Sequence, residues 1–142
     1  MAERVLLVDD EEEFTEILSE RMRARGLSVD AVDSGIKAIE KAKEARYDAV
    51  ILDLAMPELD GIGTLKRLLE DNPDLQVILL TGHATLEKGI EAVKLGAVDF
   101  LEKPAEIQDL MERIQKARVV RTHIDQARQE ERIKQIMGSM GW

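Results

Sequence analysis

The chain has no cysteine, so disulfides, zinc thiolate sites and thiol catalysis are excluded. That absence is compatible with a reducing cytosol. No apolar run approaches the roughly 20 residues that a membrane-spanning helix needs. The N-terminus passes directly into a strand-like run, with no basic-then-apolar signal segment, so nothing argues for export and the expected location is cytoplasmic. No five-residue cluster of Lys and Arg is present, and the net charge is −9. The last stretch, residues 119–142, holds four basic and three acidic side chains, so the body carries the acidity. Such a surface repels nucleic acid and argues against direct binding to it. Internal repeats and low-complexity segments are missing too. What remains is 142 residues, 44% of them hydrophobic, enough for one domain with a real core.

Four short hydrophobic runs stop at polar residues. Arg4-Val5-Leu6-Leu7-Val8 runs into Asp9-Asp10, and Ala49-Val50-Ile51-Leu52 into Asp53. Val77-Ile78-Leu79-Leu80 runs into Thr81, and Val98-Asp99-Phe100-Leu101 into Glu102-Lys103-Pro104. A weaker run spans Val29–Val32. Between them lie segments with helical spacing: Phe14, Ile17, Leu18, Met22 before Gly26; Ile36, Ile39, Ala42, Ala45 after Ser34; Ile62, Leu65, Leu68, Leu69 before Asn72-Pro73; Leu86, Ile90, Val93 before Gly96. Alternating βα units predict a parallel sheet with helices on both faces. Five such units fit a flavodoxin-like, doubly wound α/β fold of strand order 2-1-3-4-5, with five helices and a switch point between strands one and three. Asp9, Asp10 and Asp53 fall at that switch point. At the carboxyl edge of the sheet three carboxylates, a hydroxyl and an ammonium would then share one pocket. Carboxylates suit a hard divalent cation such as Mg²⁺. A carboxylate is also a nucleophile that forms acyl-phosphates, and Lys103 and Thr81 could stabilise a phosphoryl group there.

With these motifs in order, the chain resembles the response regulator receiver domain of bacterial two-component signalling, over residues 3–118. The resemblance rests on Val8-Asp9-Asp10, Asp53 with Met56-Pro57 and Asp60-Gly61, Thr81-Gly82, and Phe100-Leu101-Glu102-Lys103-Pro104. It implies that Asp53 is the phosphoacceptor, that Asp10 binds Mg²⁺ directly and Asp9 through water, and that Ala55 gives the metal its backbone carbonyl. It further implies that Thr81 and Lys103 contact the phosphoryl group, that Phe100 is a switch aromatic and that the Lys103–Pro104 bond is cis. Ala55 and His83 are expected to flank the path of attacking water and to tune the lifetime of the phosphorylated state. The partner implied is a histidine kinase or a histidine phosphotransfer protein, and the chain a phosphorylation-dependent switch rather than a metabolic enzyme. The alternatives are an unphosphorylated dimerisation scaffold and the receiver fragment of a transcription regulator. An aspartate-nucleophile phosphohydrolase would want a second Asp where Ala55 stands.

Apolar residues continue after residue 105 at approximately heptad spacing: Ile107, Leu110, Ile114, Ala117, Ile124 and Ala127, then Ile133, Ile136 and Met137. No Pro or Gly interrupts residues 105–137, so one long helix is expected. The chain is accordingly divided into a receiver domain, 1–118, and a helical extension, 119–142, serving as a linker or as a homodimerisation helix.

Overall fold

A computed structural model describes residues 3–54, 61–82 and 86–139. Ala55, Met56, Pro57, Asp60, His83 and Trp142, on which some expectations rest, lie outside the described residues.

Five strands and five helices alternate: β1 (Arg4–Val8), α1 (Glu12–Ala24), β2 (Ser28–Val32), α2 (Gly35–Glu44), β3 (Ala49–Asp53), α3 (Gly61–Asp71), β4 (Val77–Thr81), α4 (Leu86–Leu95), β5 (Asp99–Glu102) and α5 (Ile107–Ser139). The sheet order is β2-β1-β3-β4-β5 and every pairing is parallel. The flavodoxin-like order expected from the sequence is the one observed.

Side chains alternate across a strand, so each apolar run feeds two cores. Leu6, Val8, Val50, Leu52 and Leu79 meet Ala38 of α2, Leu65 and Leu68 of α3 and Ala92 of α4 on one face. Val5, Leu7, Ile51, Ile78 and Leu80 meet Leu18 and Met22 of α1 and Leu110, Ile114 and Ala117 of α5 on the other. That is why β3 and β4 read as unbroken hydrophobic runs: all five residues of each are buried. Burying one such Leu or Ile side chain is worth about 1.5–3 kcal/mol.

Local chemistry sets the helix ends. Gly26 and Gly96 take positive φ, +91° and +121°. Behind each, a pair of backbone bonds closes a Schellman turn: Gly26 to Arg23 and Leu27 to Met22, Gly96 to Val93 and Ala97 to Ala92. Ser34 Oγ accepts the Lys37 N–H at the start of α2.

The helical stripes are narrower than their apolar spacing implied. Ile17, Ile36, Ile90 and Val93 are exposed. Each residue advances a helix by roughly 100°, so with Leu18 and Met22 facing the sheet Ile17 turns aside. In α2 and α4 the small Ala38 and Ala92 face the core and displace their larger neighbours. Ala45 lies just past α2 as its C-cap. Val98 is exposed and β5 begins one residue later, at Asp99.

The last helix is 33 residues long, about 50 Å at 1.5 Å per residue. Beyond Ala117 its attachment changes from apolar to ionic. Arg121 donates to the Asp74 carbonyl at 3.2 Å and pairs with Asp125 at 3.4 Å, Arg128 pairs with Asp74 at 2.6 Å, and Arg46 pairs with Asp125. Residues 129–139 are exposed throughout, including Ile133, Ile136 and Met137. No described helix is long and apolar enough to cross a membrane.

Tyr47, the chain's one tyrosine, is buried, and its hydroxyl donates to Asp30 Oδ2 at 2.7 Å. Burial, reinforced by that carboxylate, pushes the phenol up to about 12. The fold favours the neutral phenol, so this contribution to stability is complete below the unfolded value near 10 and is lost as pH rises through about 12. Ultraviolet titration should therefore show tyrosinate appearing near pH 12 in the folded chain and earlier in Asp30→Asn. A midpoint near 10 with the fold intact would contradict the buried hydrogen bond.

Candidate functional site

Parallel alignment brings the polar ends of β1, β3, β4 and β5 to one edge. Asp9 follows β1, Asp53 and Thr81 end β3 and β4, and Lys103 follows β5. Asp9 and Asp53 are buried, while Asp10 is exposed. One carboxylate oxygen from each of the three lies within 4.8 Å of the others.

The ammonium of Lys103 sits among them. Its Nζ donates to Asp9 Oδ2 at 2.8 Å and to Glu11 Oε1 at 3.2 Å, and lies 3.6 Å from Asp53 Oδ2. Burial alone would lower the Lys103 pKa, but the Asp9, Asp53 and Glu11 carboxylates outweigh it and the net shift is upward. The Phe14 ring lies under the same ammonium, 4.5 Å from centroid to Nζ.

The backbone holds these groups in place. Asp9 Oδ1 accepts the Glu11 N–H at 2.9 Å, and the Asp9 carbonyl accepts the Thr15 hydroxyl at 3.4 Å. Lys103 N–H donates to the Thr81 carbonyl at 2.7 Å, and the Lys103–Pro104 bond is cis. Gly61 packs against the turn after β3, where an added Cβ would overlap Leu54 Cα and come within 2.8 Å of the Asp53 carbonyl. Only glycine permits that approach.

Thr81 is buried at the same edge, its hydroxyl turned to the Leu101 carbonyl at 3.4 Å. Phe100 is half-buried against the core shared by Leu79 and Ala92. Asp9, Asp10, Asp53 and Lys103 thus form one cluster with Thr81 beside it; Ala55 and His83 lie outside the described residues. Two contributors escaped the sequence reading. Glu11 carries no motif in the sequence, and Phe14 stands there only in the apolar stripe of the first helix. Nothing local in the sequence places either beside residue 103.

Three carboxylates against one ammonium leave negative charge in excess. Their oxygens are hard donors, and exposed Asp10 leaves one side open to water, so the set fits Mg²⁺.

The sequence model of the response regulator receiver domain family matches residues 5–115. The chain belongs to this family. It is 38% identical over 120 residues to the transcriptional regulatory protein ZraR of Escherichia coli O157:H7, covering 84% of this chain and 27% of that protein. It is 34% identical over 124 residues to the response regulator MprA of Mycobacterium leprae, covering 87% and 54%. The chain therefore spans between a quarter and about half of the length of these curated relatives. A response regulator receiver domain protein from Clostridium thermocellum superposes with a TM-score of 0.83 at 31% identity, covering 87% of this chain and 99% of that one. The resemblance drawn from the motifs is borne out, and this receiver domain is a signalling module of the two-component type.

Removing the ammonium tests the charge balance of the receiver pocket. Lys103→Ala should cost on the order of 3 kcal/mol without divalent cations, since buried carboxylates lose their partner. Added Mg²⁺ should then raise its melting temperature more than that of the unaltered chain. Equal melting with no response to Mg²⁺ would contradict this account of the cluster.

Proposed function

We propose that this receiver domain is a phosphorylation-dependent switch whose phosphoacceptor is Asp53. The observation that carries the reading is Lys103 Nζ, 2.8 Å from Asp9 and 3.6 Å from Asp53, at an edge where three carboxylate oxygens lie within 4.8 Å. Asp9, Asp10 and Asp53, with the Ala55 carbonyl, would hold Mg²⁺, which when bound supplies positive charge to phosphoryl oxygens and keeps the carboxylates ionised. A carboxylate oxygen of Asp53 forms a bond to phosphorus. The bond from phosphorus to the donor breaks, and the donor leaves with that electron pair: an imidazole nitrogen from the phosphohistidine of a kinase or phosphotransfer protein, or the acyl oxygen of acetyl phosphate. Lys103 and Thr81 then donate to the phosphoryl oxygens, which is the positioning and charge stabilisation that phosphoryl transfer needs from a protein. Thr81 leaves the Leu101 carbonyl to do so, and Phe100, one residue before Leu101 in β5, follows as the switch aromatic. Ala55 and His83 set how fast water removes the group. The chain catalyses these steps on itself, and the reading assigns the exchange to the cytoplasm.

In this reading residues 1–118 are the switch and 119–142 a helical extension that serves as a linker or as a dimerisation helix. Val119, Val120, Ile133, Ile136 and Met137 are exposed on the long helix, which supports pairing with a second copy. ZraR is called a transcriptional regulatory protein and is much longer than the matched segment. Any DNA-binding output would accordingly reside outside the segment described, whose own charge opposes nucleic acid.

Intact-mass spectrometry after treatment with acetyl phosphate should show one phosphate adduct that requires Mg²⁺ and is absent from Asp53→Asn. No adduct, despite measurable Mg²⁺ binding, would overturn the reading and favour an unphosphorylated dimerisation scaffold.

A further inference from the structure

The reading of Asp53 as phosphoacceptor leaves Glu11 without a role, although its carboxylate reaches Lys103. Glu11 is the N-cap residue of α1 and makes no side-chain capping bond. Ser, Thr, Asp and Asn serve that position because a short side chain reaches the free N–H groups of the first turn. Here a longer acid stands there, and its oxygen lies 3.2 Å from Lys103 Nζ. The helix start forgoes a cap, and the carboxylate goes to the pocket.

An ammonium has three N–H donors. Two go to Asp9 and Glu11, and Asp53 is the most distant of the three carboxylates. Phe14 occupies another side of the group. A phosphoryl group on Asp53 brings several new oxygens to an ammonium that already has two of its three donors engaged, so donating more than one bond to them requires a carboxylate to let go. Asp9 cannot release its share readily, since its carboxylate is fully buried and is also held by the Glu11 N–H. Glu11 can, because its side chain is 63% exposed and water replaces the lost partner.

We infer that Glu11 is a positioning residue that holds one Lys103 donor in the unphosphorylated state, yields it to the incoming phosphoryl group, and by its charge weakens the binding of anionic phosphodonors. This rests on the reading of Asp53 as the phosphoacceptor. Glu11 touches neither donor nor phosphoryl group; it acts through Lys103 and through its field at the mouth of the site.

The test is self-phosphorylation kinetics of the unaltered chain, Glu11→Gln and Glu13→Gln with Mg²⁺, using acetyl phosphate and phosphoramidate as donors. Glu13 is exposed on the same turn, so its variant removes the same charge from the same helix start. Glu11→Gln should lower the half-saturating acetyl phosphate concentration about threefold to tenfold, as expected for one charge removed at close range in a high-dielectric site. The rate at saturation should change little. The effect should be smaller with the less charged phosphoramidate and should shrink as salt is added. Glu13→Gln should leave both constants unchanged. Equal kinetics for Glu11→Gln and the unaltered chain would overturn the inference while leaving Asp53 as acceptor. Equal shifts in the two variants would also overturn it, tracing the effect to general charge at the helix start. Absence of phosphorylation in the unaltered chain would overturn the inference and the reading beneath it together.

Discussion

Repulsion among carboxylates is the constraint around which this site is organised. Asp9 and Asp53 are buried, and each has an oxygen within 4.8 Å of the other and of Asp10. Such a group is tolerable only with positive charge in its midst. Lys103 provides one charge, anchored through its own backbone N–H to β4 and through its ammonium to Asp9. The deficit that remains is what a divalent cation and, in turn, a phosphoryl group can use. The same excess of negative charge thus weakens the resting pocket and makes it receptive.

The sheet delivers these groups by register alone. Asp53 pairs with Leu80 and Thr81 with Glu102, so the ends of β3, β4 and β5 come level. With β1 beside β3, Asp9 follows at the same height. The backbone concession is at Gly61, where α3 starts so close to Leu54 that no side chain fits.

Much of this was legible in the sequence because parallel strands buried on both faces leave a plain signature: unbroken apolar runs ending in polar residues. β1, β3 and β4 show it, and Gly26, Ser34 and Gly96 mark helix ends by their own chemistry. Helix faces were harder to read. Apolar spacing around Ile17, Ile36, Ile90 and Val93 does not say which neighbour faces the sheet, and Ala38 and Ala92 took the inner positions through smallness. Glu11 and Phe14 meet Lys103 across some ninety residues of chain, a contact that only the folded topology creates. The distal helix was legible as a helix from its freedom from Pro and Gly. Its ionic attachment through Asp74, Asp125 and Arg46 was not, because heptad spacing describes apolar contact and these are charges.

The central claim is that a covalent acyl-phosphate forms on one particular carboxylate. Borohydride reduces an acyl-phosphate to an alcohol, so treating the phosphorylated chain with it and sequencing the peptides by mass spectrometry locates the bond. The account predicts conversion of Asp53 alone to homoserine, dependent on prior phosphorylation. Reduction at Asp9 or Asp10, or none at all in a chain carrying a phosphate adduct, would contradict it.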